Sequence, residues 1–555
     1  MATATYVVAL ITVALGASFQ FYSFGVVNPP QDIIEQWIND TYARRYNNTG
    51  LSTQALTVFW SFIVSSNPIG AAIACLLTST IAEKLGRRNG LIANGVVNVA
   101  AAVLEFISKP LGSPELLMFG RFLLGGCMGI TSGLVPMYLL EISPVRTRGA
   151  AGTVHQMAVS FSDWFSLFTS LPQIVGSAEL WPWAFAFPGI PAALLVLILP
   201  FMPESPRYLL VTKHRRNAAY EALRTLAGEQ EAREAFESLR REAIIAASAA
   251  VNQGGRTHVP LSSLFKRKSL RATLKISLLV MVAQQFTGCA AVFSYSTHIF
   301  QQANLSLATA QLSTLAIGIA YFVCTIPSAY LIEKRGRRFL SLFQLSGCFA
   351  MLGVLSLFIW LQQTGQAWAS YGSIAALTVY MCIYGVGSPI PWLITGELFS
   401  QQYRSAAISL STCSAWFLAF VVSNTFLPLQ QTIGAAASFL PFMAVLLLAI
   451  IGLAVLLPET KNREIEDIVR EFRHRSNTLS RTLTMGQWGD AQNSSSGAND
   501  LDWLIHEADL LPHPDNSSLA LNSHEKDKKT SSNGYGTMNN QGLELNFGEN
   551  EHASG

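Results

Sequence analysis

Charge is scarce in this chain. Only 13% of its 555 residues are Asp, Glu, Lys or Arg, and 50% are hydrophobic; soluble domains carry about 25% charged residues. The mean hydropathy is +0.34. So long and apolar a chain would expose far too much apolar surface in water, which excludes an ordinary soluble globule and points to a bilayer. The net charge of +3 is small, so no nucleic-acid partner is indicated. No basic region precedes the first apolar run near Tyr6, and no cleavable signal peptide is expected. The 7 cysteines all fall within apolar runs, so no structural disulfide is expected, and no Cys/His cluster has metal-ligand spacing. No G-x4-GK[ST] motif indicates a nucleotide-driven pump. Paired carboxylates and an activated nucleophile are missing from the apolar runs, so neither an enzyme nor a cofactor is expected.

What the chain does contain is long apolar runs. At about 20 residues per crossing, they read as an all-α integral membrane protein with twelve spans. These are 6–27, 56–82, 90–108, 115–139, 150–175, 181–202, 272–299, 308–332, 339–361, 370–396, 405–427 and 434–457. Pro136 in the fourth span and Pro389 and Pro391 in the tenth are tolerable where neighbours satisfy the freed carbonyls. The organisation is then a six-helix half over 1–202, a charged linker over 203–271, a second six-helix half over 272–457 and a tail over 458–555. Within the linker, 217–250 reads as short amphipathic helices. The tail is rich in Ser, Asn and Gly from about Ser476 and is expected to be disordered.

The halves echo one another. EKLGRRNG at 83–90 returns as EKRGRRFL at 333–340, placing Glu83, Arg87 and Arg88 in register with Glu333, Arg337 and Arg338. Glu141 and Glu397 each precede an arginine by seven residues, Arg148 and Arg404. PESPR, with Glu204 and Arg207, matches PETKNR, with Glu459. Three motifs recurring in order after spans two, four and six of each half indicate an internal duplication, as in transporters whose halves are related by an axis along the membrane normal. These charged groups read as an inner latch: paired at the span ends, worth ~1 kcal/mol each when partly exposed, and broken when that side opens.

The connections after even-numbered spans carry most of the Lys and Arg, against Arg44, Arg45 and Lys109 on the other side, so the former side is expected to be cytoplasmic, with both termini inside. Asn39 and Asn47 then begin glycosylation triplets in the one long outer loop. Glutamines within membrane helices are costly unless satisfied. Such a residue marks either a solute site or a helix–helix bond, and the Gln284–Gln285 pair in span seven favours a site.

A family resemblance rests on GRRNG at 86–90, GRFLLGGCMGITSGLVPMYLLEISPVRTRGAAGTVHQ at 120–156, PESPRYLL at 203–210, QQFTGCAAVFSYST at 284–297, GSPIPWLITGELFS at 387–400 and PETKNR at 458–463. Over roughly 10–470 the chain resembles the facilitative hexose transporters, in the sugar-porter branch of the major facilitator superfamily. The resemblance implies the major facilitator fold and a sugar site between the halves. Carried over position by position, Gln156, Gln284 and Gln285 would hydrogen-bond sugar hydroxyls. Trp392 and Trp416 would face the ring, and Ser132 would contribute from span four. Gly288 would let span seven bend as an outer gate, and His155 would be a structural hydrogen-bonder.

The chain also departs from the family pattern. Ala290, Tyr321, Ala415 and Ala419 stand where asparagine is usual, and Tyr384, which would line the site, stands where a glutamate is common. Met281-Val282-Ala283 replaces a Gln-Leu-Ser triplet, and the first span is one residue shorter. Lost hydroxyl partners cost about 1–3 kcal/mol each, which leaves the solute open among glucose, fructose, another polyol and urate. Asp163, in the middle of span five, is the odd charge.

Three functions remain. A uniporter moves a hexose or related solute through the plasma membrane by alternating access. A proton-coupled symporter uses Asp163, although the first span lacks the acid that such relatives carry. A non-transporting sensor signals through the tail, whose DWLIHEADLL at 502–511 is a candidate for a cytoplasmic sorting adaptor.

Overall fold

The computed structural model describes residues 4–46, 50–144, 148–251, 264–265, 268–399 and 401–460. Among these residues the regular elements are helices and no strand occurs. In the first half, α1 (Ala4–Gly16) runs into a 3-10 stretch, Ser18–Ser23; α2 (Gln31–Arg45) follows. Next come α3 (Thr53–Ala74) with α4 (Thr78–Lys84), then α5 (Arg87–Ser108), α6 (Pro114–Ile142) and α7 (Arg148–Thr169). The sixth crossing is α8 (Trp181–Ala186) with α9 (Gly189–Ile198). The linker contains α10 (Arg216–Ala227) and α11 (Glu229–Val251).

The second half opens with α12 (Lys268–Phe286) and α13 (Cys289–Gln302), followed by α14 (Leu307–Thr325) with α15 (Ser328–Arg335) and α16 (Arg337–Gln363). It closes with α17 (Ala369–Gly387) and α18 (Ile390–Glu397), α19 (Gln401–Ile433) and α20 (Leu440–Leu456). Among the described residues, eleven helical stretches are long and apolar enough to cross a membrane. Helix α7 is as long as several of them, but His155, Gln156 and Asp163 dilute its apolar character. It packs on the first crossing, on α6 and on α14, completing the twelve-helix arrangement of the major facilitator fold.

Local signals set several helix starts. Ser52, Ser113 and Ser306 accept hydrogen bonds from the backbone N–H groups of Ala55, Leu116 and Thr309, the side-chain capping that helix N-termini require. The helix α2 falls in a loop of the sequence-based reading. Its polar composition hides an apolar stripe, and Ile34 and Ile38 are fully buried. The last span starts later than expected, at Leu440, because Gly434 turns the chain at φ 90° and a 3-10 turn follows at Ala437–Phe439.

Two helix pairs join the halves: α3 with α19 and α7 with α14. Hydrogen bonds across the boundary gather at the end remote from the Gly-Arg-Arg turns. Asn28 Nδ2 donates to the Phe293 carbonyl at 2.6 Å and to Ser296 Oγ at 2.7 Å, and Asn28 Oδ1 accepts from Thr297 N at 3.0 Å. Gln311 donates to the Pro29 carbonyl at 3.1 Å, and Ser65 bonds Asn424 at 3.2 Å. That end is closed.

Candidate functional site

Span seven breaks where Gly288 takes the left-handed φ of 82°, with open space around its missing Cβ. The glycine is needed for backbone conformation rather than for packing. The carbonyl freed at Thr287 accepts from Tyr380 Oη at 2.9 Å. The break sets Gln284 and Gln285 on one segment, and Cys289 and Phe293 on the next.

Gln284 is buried, and both ends of its amide are taken by protein. It donates to Tyr384 Oη at 3.0 Å and accepts from Gln344 Nε2 at 2.9 Å. Gln285, one residue on, is half-buried. Tyr321 lies close to Gln156 of the first half and to Ser388, and Cys289 lies close to Tyr384. Tyr321 packs edge-on to Phe293 at 5.2 Å and lies 5.9 Å from Tyr384, between ring centroids. Trp392 and Trp416 are 5.9 Å apart. From the first half, Phe24 stacks on Trp416 at 5.9 Å and Phe21 lies 6.0 Å from it. Asp163, in α7, is 6% exposed, and its Oδ1 is buried without a hydrogen-bond partner. His155 Nδ1 shares a 2.7 Å hydrogen bond with Ser18.

The structure therefore links Gln284, Tyr384, Tyr321 and Gln156 across the boundary between halves, and sets Trp392 and Trp416 in a second group with Phe21 and Phe24. Ser132 spends its hydroxyl on the Met128 carbonyl of its own helix at 2.9 Å, which leaves only its lone pairs for a solute. Gln344 was missed by the sequence reading, although the cost of a glutamine in a membrane span applies to it as much as to Gln284. Phe21 and Phe24 carried no signal, because an aromatic residue in an apolar run is ordinary. Among the described residues, no group of three His, Cys, Asp or Glu is placed to hold a metal ion.

At the other end, the duplicated motifs form two matching networks, one in each half. Gly86 and Gly336 adopt φ of 93° and 87° and precede α5 and α16 with no side chain to cap them. Carboxylates distant in sequence take that role. Glu204 accepts from Arg87 N at 3.0 Å and Arg88 N at 2.9 Å; Glu459 accepts from Arg337 N at 2.8 Å and Arg338 N at 3.1 Å. Negative charge is favourable at a helix N-terminus. The first arginine of each turn then pairs with the motif glutamate, Arg87–Glu141 at 2.8 Å and Arg337–Glu397 at 3.0 Å. Ser205 and Thr460 donate to the same two glutamates. Arg88 donates to the Met202 carbonyl at 2.9 Å, and Arg338 to that of Ala454 at 2.7 Å.

The glutamates of the Glu-x6-Arg motif thus meet the Gly-Arg-Arg arginines of their own halves. Arg404 is exposed, lying beyond the break between α18 and α19; the side chain of Arg148 lies outside the described residues. Glu83 and Glu333 sit near the ends of α4 and α15, Glu333 exposed. The Glu83 carbonyl accepts from Tyr208 Oη at 3.2 Å, and Arg207 opens the turn over Tyr208–Thr212. Removing the distant caps, by Glu204→Ala or Glu459→Ala, is expected to cost about 1 kcal/mol each. Thermal unfolding in detergent measures this, and an unchanged midpoint would remove the capping role.

The comparisons with known proteins agree with this geometry. The family model described as sugar (and other) transporter matches residues 8–472. The rat solute carrier family 2, facilitated glucose transporter member 5, is 35% identical over 472 residues, covering 84% of this chain and 92% of the relative. The chicken member 1 is 33% identical over 473 residues, covering 85% and 94%. Among solved structures, an inward-open conformation of the xylose transporter XylE from E. coli is similar with a TM-score of 0.68 at 21% identity, covering 83% of this chain and 99% of that one. The proton:xylose symporter XylE bound to 6-bromo-6-deoxy-D-glucose is similar with a TM-score of 0.66 at 22% identity, covering 84% and 100%. With a family model spanning its transmembrane core and relatives above 30% identity along most of its length, the chain belongs to the sugar transporter family.

Proposed function

We propose that the protein is a facilitative transporter that moves a hexose or related hydroxylated solute by alternating access. The observation that carries this reading is the central constellation drawn from both halves. Gln156 on α7 meets Tyr321 of the second half, which also lies against Ser388, beside amides and ring faces suited to a sugar. With the basic connections in the cytoplasm, the closed end is the outer one, and release is toward the inside. In this conformation Gln284 is held by Gln344 and Tyr384, so a solute hydroxyl binds it by displacing one of them. The glycine-turn networks, each within one half, brace the inner span ends while the halves rock. Uptake of labelled hexoses, polyols and urate into proteoliposomes tests the reading; failure of every solute would sink it.

A plasma-membrane location and glycans at Asn39 and Asn47 belong to the same proposal. Asn39 is half-buried and accepts from Leu51 N at 2.8 Å through Oδ1, while Nδ2 is the atom a glycan would take. Asn47 lies outside the described residues, as do the tail and its proposed adaptor segment. A mobility shift on glycosidase treatment, lost in the double Asn→Gln variant, checks the glycans.

Outer-end closure should respond to pH through Glu35 on α2. Burial pushes its carboxyl up to about 7; Gln31, donating at 2.8 Å, opposes this, and Asp32 adds to it. Tyr295 also faces it. Well below the ordinary carboxylate range, Glu35 is protonated whether this end is closed or open. Above about 7 it is ionised in both, and the closed form carries the full desolvation penalty. Raising the pH from about 5 to about 8 therefore favours opening. Hydrogen exchange in Cys289–Gln302, corrected for intrinsic rates, is expected to accelerate with pH in the native protein and not in Glu35→Gln. An unchanged pH response in that variant would clear Glu35.

A further inference from the structure

Asp163 stands seven residues beyond Gln156 on α7, two helical turns along the same face. It therefore shares the stripe whose other member already reaches the second half. Its Oδ1 is buried without a hydrogen-bond partner, and among the described residues no lysine or arginine makes an ion pair with it. The groups that feel its charge are Cys289 on α13 and Tyr321 on α14, both across the boundary between halves. Behind Tyr321 stand Phe293 and Tyr384.

A carboxylate inside a membrane bundle is costly unless something compensates it, and such residues usually face a pathway. Among the described residues no cation compensates this one, so a compensating charge brought by the solute would be favoured. The surroundings restrict what it is. Aromatic ring faces attract cations and repel anions, so the carboxylate and the rings select the same sign. Gln156 and Ser388, in contact with Tyr321, supply donors and acceptors for hydroxyls nearby. A neutral hexose offers Asp163 hydroxyl donors but no counter-charge; a hexose bearing an ammonium group supplies the charge and keeps the hydroxyl contacts.

We infer that the central site prefers a hydroxylated solute carrying a protonated amine, with the ammonium on Asp163 and the hydroxyls on Gln156 and Ser388. The inference rests on the transport reading and narrows its substrate class. No bond is made or broken; the solute brings the charge and takes it away on release. The competing occupant of the carboxylate is a proton, and the two have different consequences.

The test is uptake by the full chain in proteoliposomes, comparing D-glucosamine, D-glucose and N-acetyl-D-glucosamine, in which the amine is neutralised without removing its bulk. At a pH where glucosamine is protonated, its KM is expected to be about tenfold below those of both neutral sugars, a difference of about 1.4 kcal/mol. The ratio is expected to collapse toward one in Asp163→Asn and to return in Asp163→Glu. In the native protein, raising the pH through the titration of the amine should erase the preference, a readout that stands even where the asparagine variant does not fold. Equal KM values for glucosamine and glucose in a protein that carries both overturn the inference and leave the transport reading intact. Glucose accumulation driven by an imposed pH gradient, lost in Asp163→Asn, overturns it by assigning the carboxylate to a proton. Failure of all three sugars to enter overturns the transport reading and the inference together.

Discussion

Gly125→Leu is expected to yield no folded protein, whereas Ala at the very next residue is expected to be tolerated. The contrast follows from the seam between α3 and α6. A Cβ at Gly125 would lie 1.9 Å from the Asn67 carbonyl oxygen, and one at Gly129 would lie 2.3 Å from that of Ala71. From the facing helix, a Cβ at Gly70 would lie 2.1 Å from the Phe122 carbonyl oxygen. Small residues four apart on both helices let the backbones touch, the packing that holds membrane helices together where no hydrophobic force separates protein from lipid. At Gly126 the first atom met is the Ala74 Cβ at 3.5 Å, an ordinary contact. Overpacking a core costs about 1–3 kcal/mol where side chains can yield. Here the obstacle is backbone, so the leucine variant should exceed that range. Size-exclusion profiles and thermal unfolding of Gly125→Leu and Gly126→Ala check it; equal midpoints would contradict the seam.

Arg121→Ala is expected to destabilise the first half by about 3–5 kcal/mol, the usual cost of leaving a buried charge without its counterpart. Arg121 is 1% exposed, and its guanidinium donates to the Ile63 carbonyl at 2.9 Å and to the Ser23 carbonyl at 3.1 Å. It thereby ties the broken first crossing to α3 and α6. Glu105 on α5, also 1% exposed, is its electrostatic partner, although the two do not make a close ion pair. Removing the arginine leaves the carboxylate without its counterpart and takes a donor from both carbonyls, although Ser66 Oγ still donates to that of Ile63 at 2.7 Å. The double variant Arg121→Ala with Glu105→Gln is therefore expected to recover part of the loss, since the uncompensated charge is then gone. Chemical or thermal unfolding of the four proteins of the cycle measures the coupling. Additive losses would show that the two residues act separately.

Much of this protein was readable in one dimension. Long apolar runs, interrupted by basic turns, have one stable outcome in a bilayer, because backbone N–H and C=O groups must be satisfied within each span. That alone yields helices, their number and the duplicated halves. The motif pairs were visible as well, since EKLGRRNG and EKRGRRFL repeat in register. Their partners were not. Nothing in the sequence spacing couples Glu141 to Arg87, 54 residues away, or supplies the cap on that helix from Glu204. Partner choice depends on which helix ends meet at the membrane surface, and no local spacing records it.

The centre shows the same division. A glutamine in a membrane span announces itself by its cost, so Gln156 and Gln284 were legible and Gln344 should have been. That Gln284 faces Gln344 and Tyr384 depends on the break at Gly288 and on the packing of α12 against its neighbours. That Phe21 and Phe24 close over Trp416 depends on how one half meets the other. Sequence by itself determined the twelve spans, the two halves and the candidate polar groups, because hydropathy and repetition are properties of the chain. Only the tertiary structure decided that Asp163 stands beside Tyr321 with no basic partner among the described residues. A charge is paired or unpaired by distance across two helices, and that distance exists only once the halves have packed.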